Sequence, residues 1–129
     1  MRKVVYSLLA NSAAFIALIP ATRIYERSSV PDAPVLPFCV LAWGGRTRVA
    51  TGCYQTSLEI WVHDERGDYT LIDNVLAIVE DVLTSNVQAT SVDGRMAQAD
   101  APNTSPDLYD ETYRSSTRSA GYRLVGTAR

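Results

Sequence analysis

The most regular pattern of hydrophobic and polar residues lies between residues 53 and 85. The two kinds alternate along the segment CYQTSLEIWVH, which predicts a half-buried β-strand. One face of this strand carries Tyr54, Thr56, Leu58, Ile60 and Val62. Beyond the polar turn DERGD, the segment YTLIDNVLAIVEDVLTS predicts an amphipathic helix that covers this face, because its apolar residues recur every three or four positions. The apolar stripe of the helix consists of Tyr69, Ile72, Leu76, Val79 and Leu83.

The first twenty residues contain two shorter apolar stretches. MRKVVYSLLANSAAFIALIPA resembles a secretory signal, but Asn11 and Ser12 interrupt the apolar run and no clean A-x-A site follows it. We therefore predict two short helices, at about residues 3–10 and 12–18, with the second ending before Pro20. The same interruption argues against a transmembrane span, which needs about 20 uninterrupted apolar residues.

The next part of the chain predicts two strands separated by a connector. The segment TRIYE suits a brief edge strand. The following segment, SSVPDAPVLP, places three prolines within seven residues, so we expect an extended connector that cannot form an interior strand. The run PFCVLAW is rich in large and branched residues, which predicts a strand buried on both faces.

A long hairpin follows from these strands. Gly44-Gly45 favours a reversal of the chain, which would make residues 38–43 and 53–63 the two arms of the hairpin. The basic tip of this hairpin would carry Arg46 and Arg48.

The second half of the chain is less regular. The long helix has two possible caps, Asp68 or a capping box of Thr70 with Asp73, and it is expected to stop at Asn86. The turn-favouring pair Asp93-Gly94 predicts strands on either side of it. After the loop APNTSPD, the segment YRSSTRSAGYRLVGTA is extended in character, and its small residues suit an edge strand or one packed closely under another element.

Together these elements predict a single α+β domain over residues 1–129. We expect a mostly antiparallel sheet of about four to five strands with a long hairpin, packed against one amphipathic helix and the short N-terminal helices. A chain of 129 residues and 14.1 kDa is long enough for one hydrophobic core but too short for two.

The charges change the picture only through their distribution. The formal net charge is −2, so the basic excess typical of DNA-binding domains is missing. Six acidic residues and one arginine occur from His63 to Asp81, whereas four arginines and no acidic residue occur from Thr112 to the end. This asymmetry favours contacts between subunits.

Candidate chemistry is sparse. His63 is the only histidine, and it follows the long strand beside Asp64 and Glu65. No G-x-S-x-G motif accompanies it, and Ser57 lies six residues away, about 20 Å along a strand, so we expect His63 in a solvated turn. The acidic turn lacks the alternating oxygen ligands and final glutamate of a calcium loop. We therefore predict no catalytic residue, no metal and no cofactor.

Three further motifs have ordinary explanations. Cys39 and Cys53 would lie in neighbouring strands, where a disulfide is geometrically possible, but we expect reduced packing residues. The tripeptide Arg66-Gly67-Asp68 also occurs in cell-adhesion ligands, and here it suits a turn. The sequence Asn103-Thr104-Ser105 matches a glycosylation acceptor, which matters only in a secreted protein.

The order of the elements resembles the tail terminator, or tail-completion, proteins of long-tailed bacteriophages. The resemblance rests on the helical pair, R-I-Y, the proline-containing connector, P-F-x-V, the hairpin ending in L-E-I-W-V-H, and the helix with Tyr69 and Asp73. The closing segment Y-D-E-T-Y-R…Y-R-L-V completes it, so that it covers nearly the whole chain.

The resemblance implies a structural virion protein at the junction of head and tail. Such a subunit forms a homo-oligomeric ring, a hexamer, that caps the tail tube, stops its growth and joins the tail to the head connector. Its partners would be the tail tube protein below and the head-completion protein above. Genomic DNA would pass through the lumen without sequence-specific binding, and no membrane is involved. The alternatives are another neck component, such as a head-closure or minor tail protein, and a secreted small binding protein.

A ring built by head-to-tail contacts needs two different complementary surfaces on each subunit. Trp61 falls on the second face of the long strand, where either a core position or a subunit interface is possible. The acidic candidates for the interface are Glu59, Asp64, Glu65, Asp73, Glu80 and Asp81. The basic candidates are Arg114, Arg118, Arg123 and Arg129. Arg46 and Arg48 would face either the lumen or the neighbouring ring.

Overall fold

The computed structural model describes residues 1–65, 67–91 and 94–128. The helices are α1 (Arg2–Ala10), α2 (Ala13–Leu18) and α3 (Thr70–Ser85). The strands are β1 (Ile24–Glu26), β2 (Phe38–Ala50), β3 (Cys53–Asp64), β4 (Thr90–Ser91), β5 (Gly94–Ala99), β6 (Asn103–Thr104), β7 (Leu108–Asp110) and β8 (Ser115–Ala128). The predicted α+β class is confirmed. Across the residues that the structure describes, the sheet has eight strands instead of four to five, because short segments of two or three residues pair with the long ones.

The sheet is organised around β3 and β8. Its strands follow the order β1-β2-β3-β8-β5-β4, with β6 and β7 also paired to β8. β1 runs parallel to β2, and every other pair is antiparallel. Of the two alternatives predicted for the C-terminal segment, the edge strand does not occur. β8 is interior, because β3 lies along one side of it while β7, β6 and β5 share the other side.

The hydrophobic core lies between one face of this sheet and the three helices. Leu58, Ile60 and Val62 are fully buried there, which confirms the predicted alternation along β3. The helix contributes Ile72, Val75, Leu76, Val79 and Leu83. The N-terminal helices add Val4, Val5, Leu9 and Phe15. Complete burial of side chains of this size contributes about 1.5–3 kcal/mol each relative to exposure, so this layer stabilises the fold.

The start of α3 distinguishes between the two predicted caps. The Asp68 carboxylate accepts a hydrogen bond from the backbone N–H of Thr70 at 3.0 Å, so Asp68 satisfies one of the free donors of the first turn. Asp73 does not close a capping box, since its carboxylate faces Arg118. Asn86 follows the last helical residue, as predicted. None of the helices in the described ranges combines the length and apolar character needed to cross a bilayer.

The β2–β3 hairpin is longer than predicted. β2 continues through Gly44-Gly45, with an irregular register between Trp43 and Arg46, and the reversal occurs at Thr51-Gly52. The prediction of a turn at the glycine pair is therefore wrong. The glycine at position 44 leaves room for a neighbour instead: a Cβ atom there would lie 2.0 Å from the Ser57 hydroxyl oxygen, which would have to rotate away. The glycine allows the two strands to approach closely.

The two cysteines lie at opposite ends of this hairpin. Cys39 is opposite Val62 near the open end, whereas Cys53 is opposite Ala50 beside the turn. Both thiols are free, as expected for packing residues. Burial raises the pKa of the Cys39 thiol to about 12.

Three residues named in the sequence analysis, Arg66, Asp93 and Arg129, lie outside the described residues.

Candidate subunit interface

The face of the sheet that points away from the helices carries a groove of about 430 Å³, here called the outer groove. In the β2–β3 ladder, Val40 lies opposite Trp61 and Ala42 lies opposite Glu59. Val40 and Ala42 are almost completely buried, Trp61 is half-buried and Glu59 is exposed. The other residues that line the groove are Arg27, Val30, His63, Asp110 and Tyr113. The groove therefore has an apolar and aromatic lining with charged groups around it.

His63 lies in this groove and is only 4% exposed, so the prediction of a histidine in a solvated turn is wrong. Its ring stacks on Phe38 with the centroids 4.5 Å apart and the planes at 6°. Tyr113 packs edge-on against it at 5.6 Å. The Nδ1 atom lies 2.8 Å from the Ser115 hydroxyl oxygen. Phe38 and Tyr113 are both distant in sequence, so the local polar neighbours of the histidine gave no sign of its burial.

Burial determines the protonation state of this histidine. It lowers the pKa of His63 to about 4, because the imidazolium ion would lose its hydration, and the nearby Asp110 carboxylate offsets only part of this effect. A serine hydroxyl beside a neutral imidazole is the beginning of a nucleophile pair. Ser115, however, is completely buried, so its hydroxyl is closed to a substrate. The bond is therefore best described as part of the packing.

Metal binding has no support in the described part of the chain. No group of three His, Cys, Asp or Glu side chains lies close enough together there to hold an ion.

Two of the predicted interface arginines have carboxylate partners within their own subunit. Arg118 forms an ion pair with Asp73, and its Nε atom lies 3.6 Å from a carboxylate oxygen of Asp107. Arg123 donates a hydrogen bond to Asp100 at 2.7 Å. The structure thus brings Asp73 and Arg118 together, but inside one subunit. A role for these residues between subunits stays a prediction.

The remaining charged candidates are dispersed. Glu80 and Asp81 are exposed on α3, and Asp64 is almost buried at the end of β3. Arg114 is exposed before β8 with a positive φ of 51°. Glu65 is exposed in the turn after β3. Their participation in an interface also stays a prediction.

The far end of the hairpin is exposed and basic. We call residues 46–52 the arm tip. The Arg46 guanidinium lies 4.5 Å from the centroid of the Tyr54 ring, and Arg48 donates a hydrogen bond to the Thr51 hydroxyl at 3.4 Å. Val49, next to the last residue of β2, is 51% exposed. The arm tip therefore presents positive charge together with an apolar side chain.

Sequence reasoning missed Asp110 and Tyr113 as parts of the outer groove. The sequence contains one sign of this groove. The apolar run PFCVLAW predicts a strand buried on both faces, so some other segment has to pack against its second face. The segment from Tyr109 to Arg114 is part of the resemblance, which assigns no role to its residues. Tyr113 supplies part of that cover.

Comparison with solved structures gives a likeness in fold. The fold is similar to that of a chain in a solved structure described as the virion of a native gene transfer agent (GTA) particle, with a TM-score of 0.75. The two chains are 17% identical, and the alignment covers 98% of this chain and 94% of the other. At this identity the likeness establishes the fold. No protein-family model and no curated protein matches the sequence.

Proposed function

We propose that this protein is a structural component of a tailed, phage-like particle and that it acts there as the tail terminator. The observation that carries the proposal is the likeness in fold, over almost the full length of both chains, to a chain from a gene transfer agent virion. The resemblance of the sequence to tail terminators, which rests on the order of its elements, points independently in the same direction.

In this role the subunits form a closed ring, a hexamer, on the last ring of the tail tube. The ring stops tube growth and presents its other side to the head connector, while DNA passes through its lumen. A subunit of 14.1 kDa cannot surround a tube alone, so a head-to-tail association through two different surfaces is required. The outer groove and the exposed arm tip are two such surfaces.

A non-catalytic role agrees with the buried chemistry of the protein. The only histidine is neutral and covered by aromatic rings, and its serine partner is completely buried. Most of the charged candidates are dispersed over exposed positions, and Glu59 alone among the acidic ones lines the outer groove. These features suit a protein that acts through shape and contacts.

Electron microscopy of the purified protein, alone and with tail tubes of its parent particle, tests the proposal. We expect rings of tube diameter seated on the tube ends, and tubes that no longer elongate when more tube protein is added. Binding only to the head connector would instead indicate a head-closure protein. A protein that ignores both tubes and connectors would contradict the virion role.

A further inference from the structure

We propose that the outer groove of one subunit receives the arm tip of a second copy of this chain. The inference rests on the proposed ring and identifies the pair of surfaces that builds it. The groove is lined by Val40, Ala42 and Trp61 and bears the carboxylates of Glu59 and Asp110. The occupant is the basic arm tip with its exposed Val49.

Charge complementarity is the first argument. No acidic residue occurs in the sequence from Ala33 to Leu58, so the arm tip carries the positive charges of Arg46 and Arg48 without an acidic residue in its own segment. The outer groove carries two carboxylates and one guanidinium, that of Arg27. Because burial keeps His63 neutral at pH 7, the groove has a net negative charge that matches the tip.

The distance between the two surfaces is the second argument. Arg48 of the tip pairs with Tyr54, which is five residues from Glu59 at the near end of the groove, about 17 Å at strand rise. Arg46 and Arg48 pair with Thr56 and Tyr54, which alternate with Glu59 and Trp61 and so belong to the other face of β3. The arginines of the tip therefore point away from the groove of their own subunit. Two different, mutually complementary surfaces held rigidly apart are what a head-to-tail association requires, and such an association closes into a ring if the rotation is right.

The apolar character of both surfaces is the third argument. The groove exposes part of Trp61 above the nearly buried Val40 and Ala42, and its volume is about 430 Å³. Aromatic residues surrounded by charges are typical of the centre of a protein interface. The apolar side chain of the arm tip is Val49. Within the described part of the chain, β2 pairs only with β3 beyond Leu41, so Val49 projects at a free corner of the sheet.

Charge reversal at each surface tests this pairing without disturbing the core. Arg48→Glu changes the tip and Glu59→Lys changes the groove, and both residues are exposed. We expect each single variant to raise the concentration for half-assembly by about tenfold or more, and the double variant to recover a large part of the loss. Arg95→Glu, a charge reversal at an exposed arginine on β5, is the matched control and should assemble like the wild type.

Mixing two defective variants then distinguishes a head-to-tail contact from a symmetric one. Val49→Asp disables the tip but keeps the groove, whereas Glu59→Lys disables the groove but keeps the tip. Mixed together, they should form one-to-one heterodimers and nothing larger, as measured by analytical ultracentrifugation. Circular dichroism and thermal melting verify that each variant is folded.

The results separate this inference from the proposed function. Tip and groove variants that assemble like the wild type would overturn the pairing, while rings on tail tubes would leave the terminator role standing. A mixture of the two defective variants that stays monomeric would also overturn it. So would a wild-type protein that remains monomeric up to about 1 mM in solution, whatever its binding to tubes. Conversely, correct pairing with no affinity for tubes would retain the inference and remove the proposed function.

Discussion

Protonation of His63 should destabilise the protein measurably below neutral pH. Its pKa is lowered to about 4 in the folded state, against 6.5 for an exposed histidine. The unfolded chain therefore binds more protons than the folded one between these two values, so stability falls as pH decreases through 6.5. The loss continues until the folded state is also protonated near pH 4.

The size of the effect follows from the two pKa values. Linkage gives a loss of about 2 kcal/mol between pH 8 and pH 5, approaching about 3 kcal/mol near pH 4. His63→Gln removes the titrating group and keeps a polar side chain near the Ser115 hydroxyl. The variant should be less stable than the wild type at pH 8, because the ring stack with Phe38 is lost, but its stability should depend less on pH.

Urea unfolding of the wild type and the variant at pH 8, 7, 6 and 5 measures the difference in slope. Because His63 is the only histidine, the titration of its ring by NMR gives an independent value for its pKa. Equal loss of stability in both proteins between pH 8 and pH 5, or a ring that titrates near 6.5, would refute the reasoning. Carboxylates protonate in both proteins, so their contribution cancels in the comparison.

Two further predictions concern glycine and cysteine positions. A Cβ atom at Gly126 would lie 2.3 Å from the carbonyl oxygen of Arg95. Gly126→Ala should therefore lower the free energy of unfolding, measured in urea, by about 1–3 kcal/mol. Gly45→Ala, with open space around it, should lower it much less. Equal losses for the two variants would contradict this account of the sheet. The buried Cys39 should resist a thiol reagent in the native state while the half-buried Cys53 reacts, and equally rapid labelling of both would show that the core opens.

Local periodicity was sufficient to predict the central layer of the fold. Apolar residues alternate with polar ones along β3 and recur every three or four positions along α3. Both patterns arise because the apolar face of the strand and that of the helix bury each other. Ile60 and Val79 are thus fully buried where the patterns place them. The short N-terminal helices also follow the sequence, and Ser12 caps the second by accepting a hydrogen bond from the backbone N–H of Phe15 at 3.3 Å.

The errors came from contacts between distant segments. The glycine pair at positions 44 and 45 has the composition of a turn, but strand pairing with β3 continues through it with an irregular register, and Gly44 accommodates Ser57 instead. His63 has polar neighbours in sequence, whereas in space it lies against Phe38 and Tyr113. Neither outcome can be read from a local pattern, because each depends on which strand becomes the neighbour.

The candidate interface was only partly accessible from sequence. The alternation of side chains along β3 predicts Glu59 and Trp61 on its second face, and both residues line the outer groove. The pairing of acidic helix residues with C-terminal arginines was inferred from charge counts alone. The structure places Asp73 and Arg118 in one such pair inside the subunit, which charge counts cannot distinguish from a pair between subunits.

Cryo-electron microscopy of the intact parent particle tests the central claim most directly. The account predicts a ring of this fold between the last ring of the tail tube and the head connector, with each arm tip inserted in the outer groove of its neighbour. A head–tail junction whose density is filled by other chains, with this protein absent from the particle, would contradict it.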